Sequence, residues 1–287
     1  MSEEFLAEDG TRIAYRDDGA GLPVLALAGM TRDGRDFDIL ADHLPADIRL
    51  IRLDSRGRGA SAWADWHSYS VAQEARDALA LIDHLGLDRV AVIGTSRGGL
   101  LGMVMAAFAR ARLTGLCLVD CGPVLERAGL DRIGKHVGLA PPVATLAEAA
   151  ARLATSTGFL NVPPGRWADE AARRYVQLEG HLGLPYDPAL RQSYEAALAA
   201  PAADAWPLFD ACDGLPLALI RAANSDVLSA ETAAEMARRR PDLIRAEVPD
   251  RGHVPFLDEP QALAAISAWL AAVRDFAARP QPAATAP

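Results

Sequence analysis

Four short segments carry residue types that together suit nucleophilic catalysis. Gly94-Thr95-Ser96-Arg97-Gly98, followed by Gly99, sets a serine between an apolar strand pattern, Val90-Ala91-Val92-Ile93, and a small-residue helix pattern. On so tight a strand-to-helix turn, side chains two residues to either side of the serine would clash, and glycine at both flanks removes that clash. A glycine-rich turn of this kind also suits a phosphate, but no Gly-Lys-Ser/Thr follows, which excludes a P-loop. A serine hydroxyl becomes a useful nucleophile only when a neighbouring base takes its proton. His253, in Arg251-Gly252-His253 just beyond the last strand pattern, lies on a loop suited to that task. His43, His67, His84, His136 and His181 fall in helices, loops or the middle of the chain and read as structural or surface residues.

The histidine in turn needs a carboxylate to fix its tautomer and stabilise the imidazolium. Asp226, in Asn224-Ser225-Asp226, follows the strand pattern Leu217 to Ile220, and its spacing of 27 residues from His253 accommodates one helix and one strand. It is the preferred acid; Asp120, at the end of the preceding strand pattern, competes for the role. Acyl transfer also needs two fixed donors for a developing oxyanion. The backbone N–H of Arg97, opening its helix, supplies one, and that of Met30, in Ala28-Gly29-Met30, supplies the other.

These residues must be carried to one edge of a sheet. Two short strand patterns flank Asp9-Gly10, a hairpin turn signal, and a third runs through Val24 to Leu27. Strands at 48–53, 90–93 and 116–119 then alternate with helical patterns at 71–85 and 97–109, the rhythm of a mostly parallel sheet with helices on both faces. Between 122 and 212 that rhythm stops. The segment is alanine-rich, has no convincing strand, and is divided into short helices by Pro141-Pro142, Pro163-Pro164-Gly165, Pro185 and Pro201. The pattern resumes at Leu217, with a helix near 229–239, a strand at 244–248 and a closing helix at 260–276. The expected organisation is an α/β core from 1–121 and 213–278, a helical cap inserted at 122–212, and a disordered Pro/Ala-rich tail at 279–287. Phe159, Trp167, Tyr175, Tyr186, Tyr194 and Trp206 are the aromatics available to line a pocket beneath the cap or to pack its helices.

Composition narrows the partners. With 29 Lys+Arg against 38 Asp+Glu, the formal net charge of −9 argues against nucleic acid or an anionic membrane. The N-terminus lacks the layout of a signal peptide, and no apolar run approaches the ~20 residues of a membrane span. Three cysteines, Cys117, Cys121 and Cys212, have no metal-knuckle spacing and suit a reducing cytoplasm. A small-molecule substrate, no cofactor, no metal and a monomer or homodimer are expected.

The order Ser96, Asp226, His253, the elbow from Gly94 to Gly98, the segment Asp54-Ser55-Arg56-Gly57-Arg58-Gly59-Ala60-Ser61 and the loop from Gly252 to Pro260 together resemble the α/β-hydrolase superfamily. The likeness runs over nearly the whole chain and is closest in style to its small bacterial esterase, lactonase and carbon–carbon hydrolase branch. It implies hydrolysis of a small or medium ester, thioester or lactone through an acyl-enzyme. Carbon–carbon cleavage of a ring-fission product, acyl transfer and ligand binding on a hydrolase scaffold are the other readings. Serine, not aspartate, at the elbow argues against the aspartyl-ester chemistry of haloalkane dehalogenases and epoxide hydrolases. Ala28 stands where that branch usually has histidine, and Arg97 where methionine, glutamine or leucine is commoner. The Asp54–Ser61 segment reads as structural.

Arg97 needs its own explanation. A cation at a helix N-terminus opposes the helix dipole, and an unpaired charge near a covered pocket is costly. A carboxylate partner is expected, with Asp120 the candidate and a substrate carboxylate the alternative.

Overall fold

The computed structural model describes residues 2–201 and 203–279, so the expected tail lies, from residue 280 onward, outside the described residues. The chain enters through β1 (Glu3–Leu6) and β2 (Arg12–Gly19), an antiparallel pair joined at Asp9-Gly10, where Gly10 takes φ +79°. There follow β3 (Leu22–Leu27), a short α1 (Asp38–Ala41), β4 (Ile48–Leu53), α2 (Val71–His84), β5 (Val90–Thr95), α3 (Arg97–Ala109) and β6 (Leu113–Val119). Ser70 caps α2 by accepting from the amide of Gln73, and Gly86, at φ +63°, lets the chain turn away after it.

Between β6 and the next strand of the main sheet stand α4 (Arg127–Gly134), α5 (Leu146–Leu153), α6 (Pro164–Arg174), β7 (Val176–Leu178), β8 (His181–Gly183), α7 (Leu190–Ala199) and α8 (Trp206–Asp210). The chain closes with β9 (Leu217–Ala222), α9 (Ala230–Arg239), β10 (Ile244–Val248) and α10 (Pro260–Ala277). Among the described residues the main sheet has eight strands in the order β1-β2-β4-β3-β5-β6-β9-β10, antiparallel at β1 and β2 and parallel thereafter. This is the α/β-hydrolase fold.

The central strands are apolar on both faces because helices cover both. Leu25, Leu27, Val92, Leu116 and Leu118 pack with α2 and α3 on one side. Their chain neighbours Val24, Ala26, Ala91, Ile93, Cys117 and Val119 pack against Ile266, Trp269 and Val273 of α10 on the other. Side chains thus alternate between the two layers with the strand's period of two.

Two expectations about the middle segment are corrected. It is not wholly helical: β7 and β8 form a hairpin turned at Gly180, which takes φ +73°. Its end also belongs with the core rather than with the insertion. Phe209 and Cys212 are fully buried in the same cluster as Leu101 and Met105 of α3, with Trp206 against them: the spacing of three puts Trp206 and Phe209 on one face of α8, and Cys212 follows in the turn after it. The insertion is fastened at a second point by the Asp54–Ser61 segment, where Gly59 N–H donates to Pro185 O and Asp187 N–H to Gly57 O.

Candidate active site

The elbow is built as its glycines require. Ser96 sits at φ 51°, ψ −114°, a left-handed position that costs a non-glycine residue ~1–3 kcal/mol and persists only where the surroundings enforce it. A Cβ on Gly94 would lie 2.4 Å from the backbone of Gly98, and one on Gly98 would lie 1.9 Å from Leu27 O. The Ser96 amide donates to Val119 O at 2.8 Å, which ties the turn to β6.

The hydroxyl of Ser96 lies 2.9 Å from His253 Nε2, and His253 Nδ1 lies 2.8 Å from Asp120 Oδ2. Asp120 is fully buried and the imidazole is 8% exposed. The rest of the carboxylate is satisfied: Oδ1 accepts from the Ala222 amide at 2.9 Å and Oδ2 from the Ser225 hydroxyl at 2.7 Å. The histidine loop is braced by Glu259, which accepts from the amides of Phe256 and Leu257 and from Arg251 Nε.

Asp226 is not at the histidine; the carboxylate there is Asp120. β6 and β9 are neighbours, so both aspartates leave the sheet at one edge, and the turn after β9 decides between them. That turn presents Ser225 to Asp120 and sends Asp226 outward to Arg132 of the insertion, whose guanidinium grips both oxygens, Nη2 at 2.7 Å from Oδ1. Hydrogen bonding from Arg132 holds the Asp226 carboxyl below its ordinary range despite partial burial.

Arg97 has the carboxylate partner that its position demands, but not Asp120. Its Nε and Nη2 meet Glu74 Oε2 and Oε1 at 2.8 and 2.9 Å, and Nη2 also donates to Tyr69 O. Glu74 and Arg58 are each 1% exposed, and Arg58 Nη1 reaches Glu74 Oε1 at 2.9 Å. Arg58 Nε in turn donates to Met30 O at 2.8 Å. One buried glutamate therefore connects the two segments that bear the expected oxyanion donors. Among the described residues the Met30 N–H donates to no other group, and the Arg97 N–H, first in its helix, has no partner one turn earlier. Arg58 supplies the loop bracing for which Ala28 has no side-chain donor, and it comes from the segment read as structural.

A cavity of about 710 Å³ opens above Ser96, lined by Met30 and His253 of the core and by Arg132, Leu153 and Tyr186 of the insertion. Of the aromatics named from sequence, Tyr175 and Tyr186 line it, and Phe159 and Trp167 line a smaller adjoining cavity. Tyr194 packs among Val137, Tyr186 and Leu190, and Trp206 lies on α3 with Arg239 stacked 4.0 Å from its ring. Cys117, Cys121 and Cys212 are buried free thiols, the first two pushed up in pKa by burial. Among the described residues no group of His, Cys, Asp and Glu is disposed to hold a metal ion, and no helix is long and apolar enough to cross a membrane.

An eight-stranded, mostly parallel sheet with a serine elbow facing a histidine across its carboxyl edge defines a class, and comparison with known proteins places the chain in it. The chain belongs to the alpha/beta hydrolase family, whose model matches residues 24–266. It is 39% identical to a 3-hydroxybutyrate-oligomer hydrolase of Cupriavidus necator, over 88% of this chain and 90% of that one. An alpha/beta hydrolase from Novosphingobium aromaticivorans superposes with a TM-score of 0.88 at 38% identity, covering 95% of this chain and 98% of that one. E-2-(acetamidomethylene)succinate hydrolase shares the fold with a TM-score of 0.80 at 23% identity, over 94% of this chain and all of that one.

Proposed function

We propose that the protein is a serine hydrolase that cleaves ester bonds in short oligomers of a hydroxy acid, with Ser96 as nucleophile, His253 as base and Asp120 as its orienting acid. The hydrogen-bonded chain from Ser96 Oγ through His253 to Asp120 carries this reading. His253 Nε2 takes the hydroxyl proton as Ser96 Oγ attacks the ester carbonyl, and Asp120 holds the opposite nitrogen protonated and balances the imidazolium. The backbone N–H groups of Met30 and Arg97 receive the oxyanion. Collapse breaks the acyl C–O bond, and the departing alkoxide takes the proton from His253. Water, deprotonated by the same histidine, then adds to the acyl carbon, the bond to Ser96 Oγ breaks, and the histidine returns the proton to that oxygen.

The choice of ester follows from two supports. The relative from Cupriavidus necator acts on 3-hydroxybutyrate oligomers by name and is similar along nearly the whole chain. The cavity, about 710 Å³, also has room for a few hydroxy-acid units. The test is turnover of linear 3-hydroxybutyrate dimer and trimer beside p-nitrophenyl esters, a thioester and a lactone, with fluorophosphonate labelling of Ser96. Labelling and oligomer hydrolysis are expected, both lost in Ser96→Ala, whose rate should fall by about 10⁶ as for other triad nucleophiles. Unlabelled protein, or Ser96→Ala within tenfold of the parent, overturns the nucleophile; labelled protein inert on the oligomers overturns the substrate class.

A further inference from the structure

The chain as a whole is acidic, with a formal net charge of −9, yet the cavity above Ser96 is basic. Arg32, Arg132, Lys135, Arg152 and Arg174 line it, against the two carboxylates of Asp36 and Glu170. The pairing of these groups is uneven. Arg32 is taken up by Asp36 and Glu170, Arg174 by Glu170, and Arg132 by Asp226. Lys135 and Arg152 have no carboxylate within salt-bridge distance among the described residues. They come from different elements, the end of α4 and the last turn of α5, and both line the one cavity. His136, on the same cavity wall, senses this field: partial burial and then Arg132, Arg152, Lys135 and Arg174 lower its pKa.

We propose that Lys135 and Arg152, backed by Arg132 and Arg174, form a subsite for the free carboxylate end of the substrate. The inference rests on the oligoester reading above and deepens it. In a linear oligoester of a hydroxy acid, the free carboxylate always lies on the alkoxy side of every ester bond. A carboxylate held at the cationic wall therefore presents a bond at a fixed distance from that end to Ser96 Oγ. On attack, the acyl carbon bonds to Ser96, the C–O bond to the carboxylate-bearing fragment breaks, and that fragment leaves as a hydroxy acid with the proton from His253. The enzyme reads its substrate from the carboxyl end. Both residues are exposed and without carboxylate partners, so their replacement removes charge without opening the core.

The test measures binding apart from turnover. The Ser96→Ala protein is titrated calorimetrically, at low ionic strength, with linear 3-hydroxybutyrate trimer as the free acid and as its methyl ester. The same titrations are made with Lys135→Gln and Arg152→Gln added together. The acid is expected to bind roughly fivefold to tenfold more tightly than the methyl ester, as a carboxylate facing several partly solvated cations should. That ratio should fall toward one in the added double variant and in high salt. Equal affinity for acid and ester, failure of both to bind, or a ratio that survives the double variant overturns the subsite. Wild-type turnover of the trimer is scored separately. Turnover without acid preference in binding sinks the subsite alone, and acid preference without turnover sinks the oligoester reading alone.

Discussion

Replacing Glu74 by glutamine keeps the size of the side chain and removes its charge, and the structure specifies what is lost. Glu74 is 1% exposed and lies between Arg58, itself 1% exposed, and Arg97. Burial favours its protonated form, but the two guanidinium groups outweigh burial and hold the carboxyl below its ordinary range. Without the carboxylate, two guanidinium groups face each other in a buried site. Leaving one side of a buried ion pair uncompensated costs about 3–5 kcal/mol, and glutamine, which keeps one acceptor, should fall near the lower figure. For a domain of this size ~3 kcal/mol lowers the Tm by roughly 6–10 °C. The same change loosens both segments that bear the proposed oxyanion donors, since Arg58 holds Met30 O and Arg97 opens the elbow helix. Loss of one such donor elsewhere costs about 10²–10³ in kcat, so partial misplacement should cost on the order of tenfold to a hundredfold with KM little changed. Thermal unfolding followed by circular dichroism gives the first quantity, and ester turnover well below the new midpoint gives the second. A Tm within about 2 °C of the parent would refute the buried network as a stabilising element. A lowered Tm with unchanged kcat would refute its link to the oxyanion donors.

The remaining expectations are briefer. Asp120→Asn should lower kcat by about 10⁴, the cost of the equivalent change in a serine-protease triad, while Asp226→Asn stays within about tenfold; the reverse ranking returns the acid role to Asp226. Gly98→Ala puts a Cβ 1.9 Å from Leu27 O, a backbone atom that cannot step aside, so it should destabilise the fold by more than the ~1–3 kcal/mol of ordinary overpacking, and a near-parental denaturation midpoint would contradict the elbow geometry. Glu170 is largely buried, yet Arg32 and Arg174 outweigh that burial and hold its carboxyl at about 2 against an ordinary 4.5. Its stabilising contribution is thus present above pH 4.5 and lost as the pH falls toward 2. Glu170→Gln should therefore be less stable than the parent at neutral pH, and the gap should narrow through that acid window; a gap independent of pH would show that the arginines do not hold the carboxylate.

Local rules make the elbow and the sheet legible in the sequence alone. The clash around Ser96 is set by backbone atoms a few residues apart, so glycine at 94 and 98 announces the turn wherever it sits in the fold. The central strands are apolar on both faces and bounded by glycine and capping residues, so their number and order along the chain could be read directly. The choice between Asp120 and Asp226 could not, because both follow adjacent parallel strands and either spacing reaches His253. The turn after β9 decided it by offering Ser225 to Asp120 and Asp226 to Arg132. Arg97 showed in advance that it needed a carboxylate, since a cation at a helix start beneath a covered pocket is costly. Its identity as Glu74 depended on how α2 packs beside α3, a contact 23 residues distant in sequence. The β7–β8 hairpin leaves no mark in the sequence because three-residue strands carry too little periodicity to register. The basic wall over Ser96 joins residues of three helical segments and the loop after β3 in a chain that is acidic overall. Composition averages such a field away, and only packing brings those charges to one cavity.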